Sequence, residues 1–341
     1  MICFLTTSHC RCSRNPIHAQ GWLSLAQLEE SCESKSNIVR ARAVYQNAAD
    51  SYERARNIYH KNDRRRNSVI LSRTSRQPGD KWLTLYMAWA KMEESFGNYG
   101  FANMVYSRAA HVFPSEWEVF LNWAMLHAKR KFVEKAKATF KKACLKAGRY
   151  NTEPYRIYGE YAMELGNYDV ARLILFSGAK AITVNSRDGQ VKGLAALLHS
   201  WSKCELRLGN IDRAVKLLDR ALCVTGNSPS NEKSQLLSTM ASAETIRKNY
   251  RLAQHYISLA LYECGTDSPD NASSLWGQWA EIADLMSDSK LSQYFREQAQ
   301  KVKDKSAVLS TAPALSANRI MRESLGKAPW YTKLMHGRSK R

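Results

Sequence analysis

The sequence predicts an all-α fold, a solenoid of about seven stacked helical hairpins. Three observations predict it. First, a large anchor residue, Trp89, is followed by Gly97 at offset 8, Ala102 at offset 13 and Ala109 at offset 20, with helical runs on either side of the turn-forming pair Gly97-Asn98. Second, the same register recurs. Trp123 has Lys131, Ala136 and Ala143 at those offsets; Tyr158 has Gly166, Ala171 and Gly178; Trp201 has Gly209, Ala214 and Ala221; Met240 has Lys248, Ala253 and Ala260; Trp279 has Ser287, Ser292 and Ala299. Third, successive anchors from Trp89 lie 34, 35, 43, 39 and 39 residues apart, a period of repeat architecture. The spacing stretches where loop-forming runs occur, at Asn185–Gly189, Gly226–Glu232 and Asp267–Asn271.

Each offset has a physical reason. The anchor fills the space between two antiparallel helices. The small residue at offset 13 lets the second helix cross the first closely, and the Ala or Gly at offset 20 lets the next unit dock. The turn residue at offset 8 must tolerate left-handed backbone, which Gly does without cost. One such hairpin cannot bury its apolar face alone, so neighbours must stack.

Residues 1–20 carry Arg11 and Arg14 and no acid, the first acidic residue being Glu29, which fits an organelle-targeting segment. Residues 21–303 hold the repeats. The first is looser: Leu25 is its anchor, Ala41 and Ala48 arrive three residues late, and its helices are expected over Trp22–Glu30 and Asn37–Tyr59. Residues 61–80, with Arg64 to Arg66 and Pro78-Gly79, read as an exposed basic loop inserted into the array. Residues 304–341 read as a linker, Ser306 to Ala317, followed by a basic tail in which Trp330 is expected to cap the last repeat.

The formal net charge is +20, and three stretches carry it. Residues 61–79 are net +5, residues 128–149 net +8 and residues 301–341 net +8, so the rest of the chain is close to neutral. Localised positive charge points to a polyanionic partner. No apolar run approaches the roughly 20 residues a membrane-spanning helix needs. Eight cysteines are scattered without zinc-ribbon spacing and read as free thiols. No phosphate-binding loop, dinucleotide fingerprint, HExxH or GxSxG occurs, and no cofactor or metal is expected. Glu93, Glu205 and Glu244 each follow an anchor by four residues. Recurring once per repeat, they sit about 10 Å apart and are expected to bond within the repeat rather than to catalyse.

Trp89 to Glu93 reads Trp-Ala-Lys-Met-Glu, Trp201 to Glu205 reads Trp-Ser-Lys-Cys-Glu, and the second helices carry Val-Tyr-Ser-Arg-Ala at Val105 to Ala109 and Ala-Arg-Ala-Val-Tyr-Gln-Asn-Ala at Ala41 to Ala48. Over residues 22 to 303 these units resemble the tetratricopeptide superfamily and, within it, the HAT (half-a-TPR) repeat. His127, Ala162 and Ala283 stand where HAT units carry an acid and Met240 lacks the aromatic anchor, so a generic tetratricopeptide assignment stays open. The resemblance implies a right-handed superhelical solenoid and a non-catalytic RNA-processing factor, most like the plastid mRNA-maturation HAT proteins. It implies plastid residence in preference to mitochondrial, with the nucleus as the alternative. Single-stranded RNA and other RNA-processing proteins are the expected partners; the alternative is a protein–protein scaffold in a nuclear splicing or 3′-end complex.

In this superfamily the first helix of each hairpin lines the concave face. Cations there at offsets 2 and 6, with those continuing the cluster, are the expected RNA contacts: Lys91, Lys129, Arg130, Lys131, Lys203 and Arg207. Glu160, Glu164 and Glu281 interrupt the row. Arg108, Lys142 and Arg220 share offset 19, where a basic residue is usual in HAT units and is expected to be structural.

Overall fold

The structure is a computed structural model and describes residues 19–31, 37–65, 79–148, 151–183, 193–225, 231–264 and 269–303. Among the described residues there are fourteen helices and no strand. In chain order they are α1 (Ala19–Ser31), α2 (Asn37–Arg65), α3 (Gly79–Ser95), α4 (Tyr99–Val112), α5 (Trp117–Lys129), α6 (Val133–Ala147), α7 (Glu153–Glu164), α8 (Tyr168–Thr183), α9 (Leu194–Arg207), α10 (Ile211–Val224), α11 (Asn231–Ile246), α12 (Tyr250–Cys264), α13 (Pro269–Leu285) and α14 (Ser289–Lys303). They pair as seven hairpins in an all-α helical-repeat solenoid, as the register predicts. The hairpins fall into two compact units, residues 1–148 with three and residues 149–341 with four. In the first, α3 packs against both α1 and α2, and α4 against α5. In the second, α9 packs against α7 and α8, α11 against α9 and α10, and α13 against α12.

The turn explains why the register is so regular. In α3/α4 the amide of Asn98 donates to the Glu93 carbonyl at 2.8 Å and that of Gly97 to the Glu94 carbonyl at 3.0 Å, a Schellman stop. Asn98 is then the N-cap of α4, its carbonyl accepting from the Ala102 amide at 3.0 Å. The same three bonds recur at Lys131-Phe132, Gly166-Asn167, Gly209-Asn210, Lys248-Asn249 and Ser287-Asp288. The offset-8 residue has positive φ in all six turns, 75° at Gly97, 57° at Lys131, 76° at Gly166, 77° at Gly209, 63° at Lys248 and 63° at Ser287. Three of the six are not glycine and pay the left-handed penalty of about 1–2 kcal/mol. Lys248→Gly and Ser287→Gly should each stabilise the second unit by about 0.5–1 kcal/mol, since a looser unfolded chain offsets part of the relief. Gly209→Ala, with open space around its Cβ, should lose a similar amount through backbone conformation alone. Urea midpoints compared at constant slope check all three.

The small residues sit where close approach demands them. Ala41, Ala102, Ala136, Ala171, Ala214 and Ala253 are all fully buried, and Ser292 nearly so. The anchors Leu25, Trp89, Tyr158, Met240 and Trp279 are buried, whereas Trp123 and Trp201 are half-buried at the edge of the core. One apolar core fills the first unit; two fill the second, and α11 serves both, with Leu236 and Met240 in one and Leu237 and Ala241 in the other.

Two of the three offset-4 glutamates reach beyond their own repeats. Glu93 on α3 is fully buried and receives Arg42 of α2, in the preceding hairpin, through Nε at 2.6 Å and a terminal nitrogen at 2.7 Å. Glu205 on α9 accepts from Trp201 at 3.0 Å and Asn210 at 2.8 Å, and Arg172 of α8 approaches to 3.5 Å. Arg42 and Arg172 each follow the small residue of the second helix, Ala41 and Ala171. Glu244 has Val215 at that place and takes Arg247 of its own turn instead, at 2.8 Å. Where His127 replaces the acid, the corresponding second-helix residue is Asn103, and it accepts the Trp123 indole N–H at 2.8 Å. Of the three offset-19 cations expected to be structural, Arg108 is held by Glu53 and Asp50 of α2, whereas Lys142 and Arg220 are exposed and make no ion pair among the described residues.

Helix α2 continues to Arg65, so the first part of the stretch expected to be loop is helical. At its other end Gly79 and Asp80 begin α3. The targeting segment, residues 66–78 of the basic insertion, the linker and the tail with Trp330 lie outside the described residues, as do Cys3, Cys10, Cys12 and Cys32. Cys144, Cys204, Cys223 and Cys264 are free thiols.

Candidate functional site

A cleft of ≈ 430 Å³ opens on the first-helix side of the second and third hairpins. Helix periodicity builds it. Lys91, Glu94 and Ser95 lie on one face of α3, and Asn122, Met125 and Lys129 on one face of α5, spaced three and four residues apart. Tyr99 and Tyr106 of α4 complete the lining. Glu94 is the acidic member, and both its oxygens are engaged. The Tyr106 hydroxyl donates to one at 2.7 Å, and the Lys129 ammonium to the other at 3.0 Å. Burial first, and then the Glu94 carboxylate, push the Tyr106 pKa up, so the phenol stays a donor. Lys91 is exposed at the rim and makes no ion pair. The Arg130 guanidinium lies 4.6 Å from the Tyr99 ring centre, covering that aromatic with a cation. Three cations around one neutralised carboxylate leave the cleft positive, over a floor of tyrosine and methionine.

Of the six expected contacts, the structure therefore brings Lys91 and Lys129 into one cleft, with Arg130 beside it over Tyr99. Lys129 is paired with Glu94, and Lys131 is exposed at the left-handed turn, where its backbone ends α5. Lys203 and Arg207 lie on α9 in the second unit, exposed and not ion-paired. There the first-helix face is mostly cross-linked polar side chains. Glu160 takes Arg156 at 2.9 Å and the Ser200 hydroxyl at 2.6 Å, and Ser238 donates to Gln278 at 2.7 Å. Tyr99, Tyr106, Glu94 and Asn122 are not among the contacts expected from the sequence. A signal existed for one pair: Glu30 and Glu94 both stand five residues after an anchor, and each accepts from a second-helix tyrosine, Tyr45 or Tyr106, at 2.7 Å.

His199 joins α9 to α11. The Thr239 hydroxyl donates to the Gln235 carbonyl at 3.0 Å, so its lone pair accepts from His199 Nε2 at 2.7 Å, and the ring is assigned as the neutral Nε2–H form. Burial, with Lys203 as a smaller cause, lowers the His199 pKa to about 4. Above the ordinary value of about 6.5 both folded and unfolded states are neutral and His199 adds no pH dependence. Between that value and about 4 the unfolded chain takes up a proton that the folded chain refuses. Stability of the second unit should therefore fall as pH drops through this window, by up to about 1.4 kcal/mol per pH unit. His199→Gln keeps a donor to Thr239 and should flatten that slope in urea titrations at several pH values.

Among the described residues no group of three His, Cys, Asp or Glu side chains could hold a metal ion, and no helix is long and apolar enough to cross a membrane.

No protein-family model and no curated protein matches the chain. Solved structures do. The chain is similar to BtubC from P. vanneervenii at 15% identity, over 62% of this chain and 91% of that one, with a TM-score of 0.54. It is similar to PilF of Pseudomonas aeruginosa at 16% identity, over 64% and 91%, with a TM-score of 0.48. A tetratricopeptide repeat protein from Parabacteroides merdae ATCC 43184 is similar at 13% identity, over 89% and 99%, again with 0.48. At these identities the likeness is one of fold. The chain has an all-α helical-repeat fold, with the turns, small residues and anchors of its hairpins in register.

Proposed function

We propose that this protein is a non-catalytic binding scaffold that grips an acidic segment of a partner protein in the cleft between α3, α4 and α5. The observation that carries this reading is the cleft itself. It combines the exposed Lys91 ammonium and the N–H donors that Lys129 has left beyond its bond to Glu94 with an apolar floor of Tyr99, Tyr106 and Met125. Such a surface takes an extended segment whose carboxylates meet the lysines while its side chains cover the floor. Isothermal titration of the full chain with acidic ten-residue peptides tests it. Lys91→Ala with Lys129→Ala should weaken binding at least tenfold, each lost charge-assisted bond being worth about 1.5–3 kcal/mol. Unchanged affinity would sink the assignment of the cleft.

A second reading is the RNA-processing factor, binding single-stranded RNA to mature or stabilise transcripts, with plastid residence or the nucleus as its alternative. The net charge of +20 and the Arg130–Tyr99 pair favour it. The same titration with labelled single-stranded RNA separates the two. Submicromolar affinity that falls steeply with salt, and falls further when Lys129, Arg130 and Lys131 become alanine, would displace the protein reading.

A further inference from the structure

Helix α6 presents a second surface, independent of the cleft. Its inward face, Ala136, Phe140, Ala143, Cys144 and Ala147, is buried in the core. Its outward face carries Lys135, Lys141, Lys142 and Lys146, all exposed and none ion-paired. The acid on this helix, Glu134, is engaged by Lys137 at 3.0 Å. At 100° per residue, Ala138 and Leu145 lie on one line along the middle of that face, with Lys141 on one side and Lys135, Lys142 and Lys146 on the other. Leu145 is 80% exposed, and Phe132, just before the helix, is 51% exposed beneath the Lys135 ammonium.

We propose that the outward face of α6 docks on an anionic lipid surface. Four unpaired lysines would be drawn to acidic headgroups, each near such a surface strengthening binding about fivefold. Two exposed apolar side chains among them have no use for a phosphate backbone but partition into the headgroup–acyl boundary, with lysine stems lying alongside. A solvated lysine face explains the charges; it leaves Leu145, the most exposed large apolar side chain among the described residues, unexplained. Nucleic acid, the other polyanion, would meet the lysines and leave Leu145 and Phe132 in water.

Cosedimentation of the full chain with vesicles tests this, using phosphatidylcholine alone and a 70:30 mixture with phosphatidylserine at low and physiological salt. Binding is expected only to the mixture and should weaken with salt. Leu145→Gln, a change at an exposed position that leaves the core intact, should reduce it about tenfold. Gln at 135, 141, 142 and 146 together should reduce it at least about 100-fold. Gln in place of Arg213, Lys216, Arg220 and Lys180 on the second unit removes the same net charge and should leave binding in place. Absence of phosphatidylserine-dependent binding overturns the proposal. So does equal loss in the charge-matched control, or binding indifferent to Leu145→Gln. Displacement of the vesicles by single-stranded RNA that is itself insensitive to Leu145→Gln assigns the face to nucleic acid and overturns it as well.

Discussion

Arg42→Leu should destabilise the first unit by about 3–5 kcal/mol, the range for breaking a buried ion pair by removing one partner. Glu93 has no exposed side-chain surface, and Arg42 supplies both charge-assisted bonds to its carboxylate, at 2.6 and 2.7 Å. Among the described residues the only other side-chain donor to it is the Trp89 indole, at 3.4 Å and so weak. Removing the guanidinium leaves a carboxylate with no water to turn to. It also uncovers the Phe101 ring, over which the guanidinium carbon sits at 4.3 Å. At about 2–4 °C per kcal/mol for a domain of this size, the first transition should drop by roughly 10 °C. The companion variant decides the mechanism. Adding Glu93→Leu removes the stranded charge, and an apolar pair of similar volume is often neutral or stabilising. The double variant should therefore recover most of the loss, with a coupling energy well above the 0.5 kcal/mol expected of independent sites. A loss below about 1 kcal/mol for Arg42→Leu, or equal losses in single and double variants, would show that packing rather than charge joins α2 to α3.

This clasp also marks what could and could not be read from the sequence. Position along a repeat was legible, because the turn imposes it. The offset-8 residue must be left-handed to close the Schellman bonds, and the offset-13 amide bonds the next residue's carbonyl to start the second helix. Seven hairpins, their turns and their small residues follow from that. Direction across hairpins was not legible. Glu93 was expected to bond within its repeat, yet its partner lies 51 residues earlier. The clue was present, since Arg42 and Arg172 follow their small residues and the next hairpins carry Glu93 and Glu205. Val215 before Glu244 breaks the rule, and one register cannot reveal that Arg247 takes over. The cleft was half legible for the same reason. Offsets 2 and 6 placed Lys91 and Lys129 on one face, but Glu94, which neutralises Lys129, is held by a tyrosine on another helix. Lys131 has two places in the register: its backbone forms the left-handed turn at offset 8, and its side chain is exposed beside the cluster.

Gly178→Ala sets the two kinds of argument against each other. The register puts Gly178 at offset 20, where Ala109, Ala143, Ala221, Ala260 and Ala299 stand in the other regular copies. Glycine inside a helix ordinarily costs about 0.5–1 kcal/mol relative to alanine, so the pattern alone predicts a stabilising change. The structure predicts the reverse. A Cβ on Gly178 would stand 2.7 Å from Tyr155 Cβ and 2.9 Å from its Cγ, with Leu197 of the next hairpin at 3.4 Å. Tyr155 Cβ is one bond from the backbone of α7 and cannot rotate away, so α7 and α8 must separate. A loss of about 1–3 kcal/mol in the second unit is expected, the usual result of overpacking. Repeating the change on a Tyr155→Gly background removes the two nearest atoms, and there Gly178→Ala should cost little or gain. The two differences, read from urea unfolding, decide the matter. Stabilisation by Gly178→Ala in the otherwise unaltered chain would mean that this hairpin relaxes at negligible cost. The glycine would then follow from no requirement of close approach.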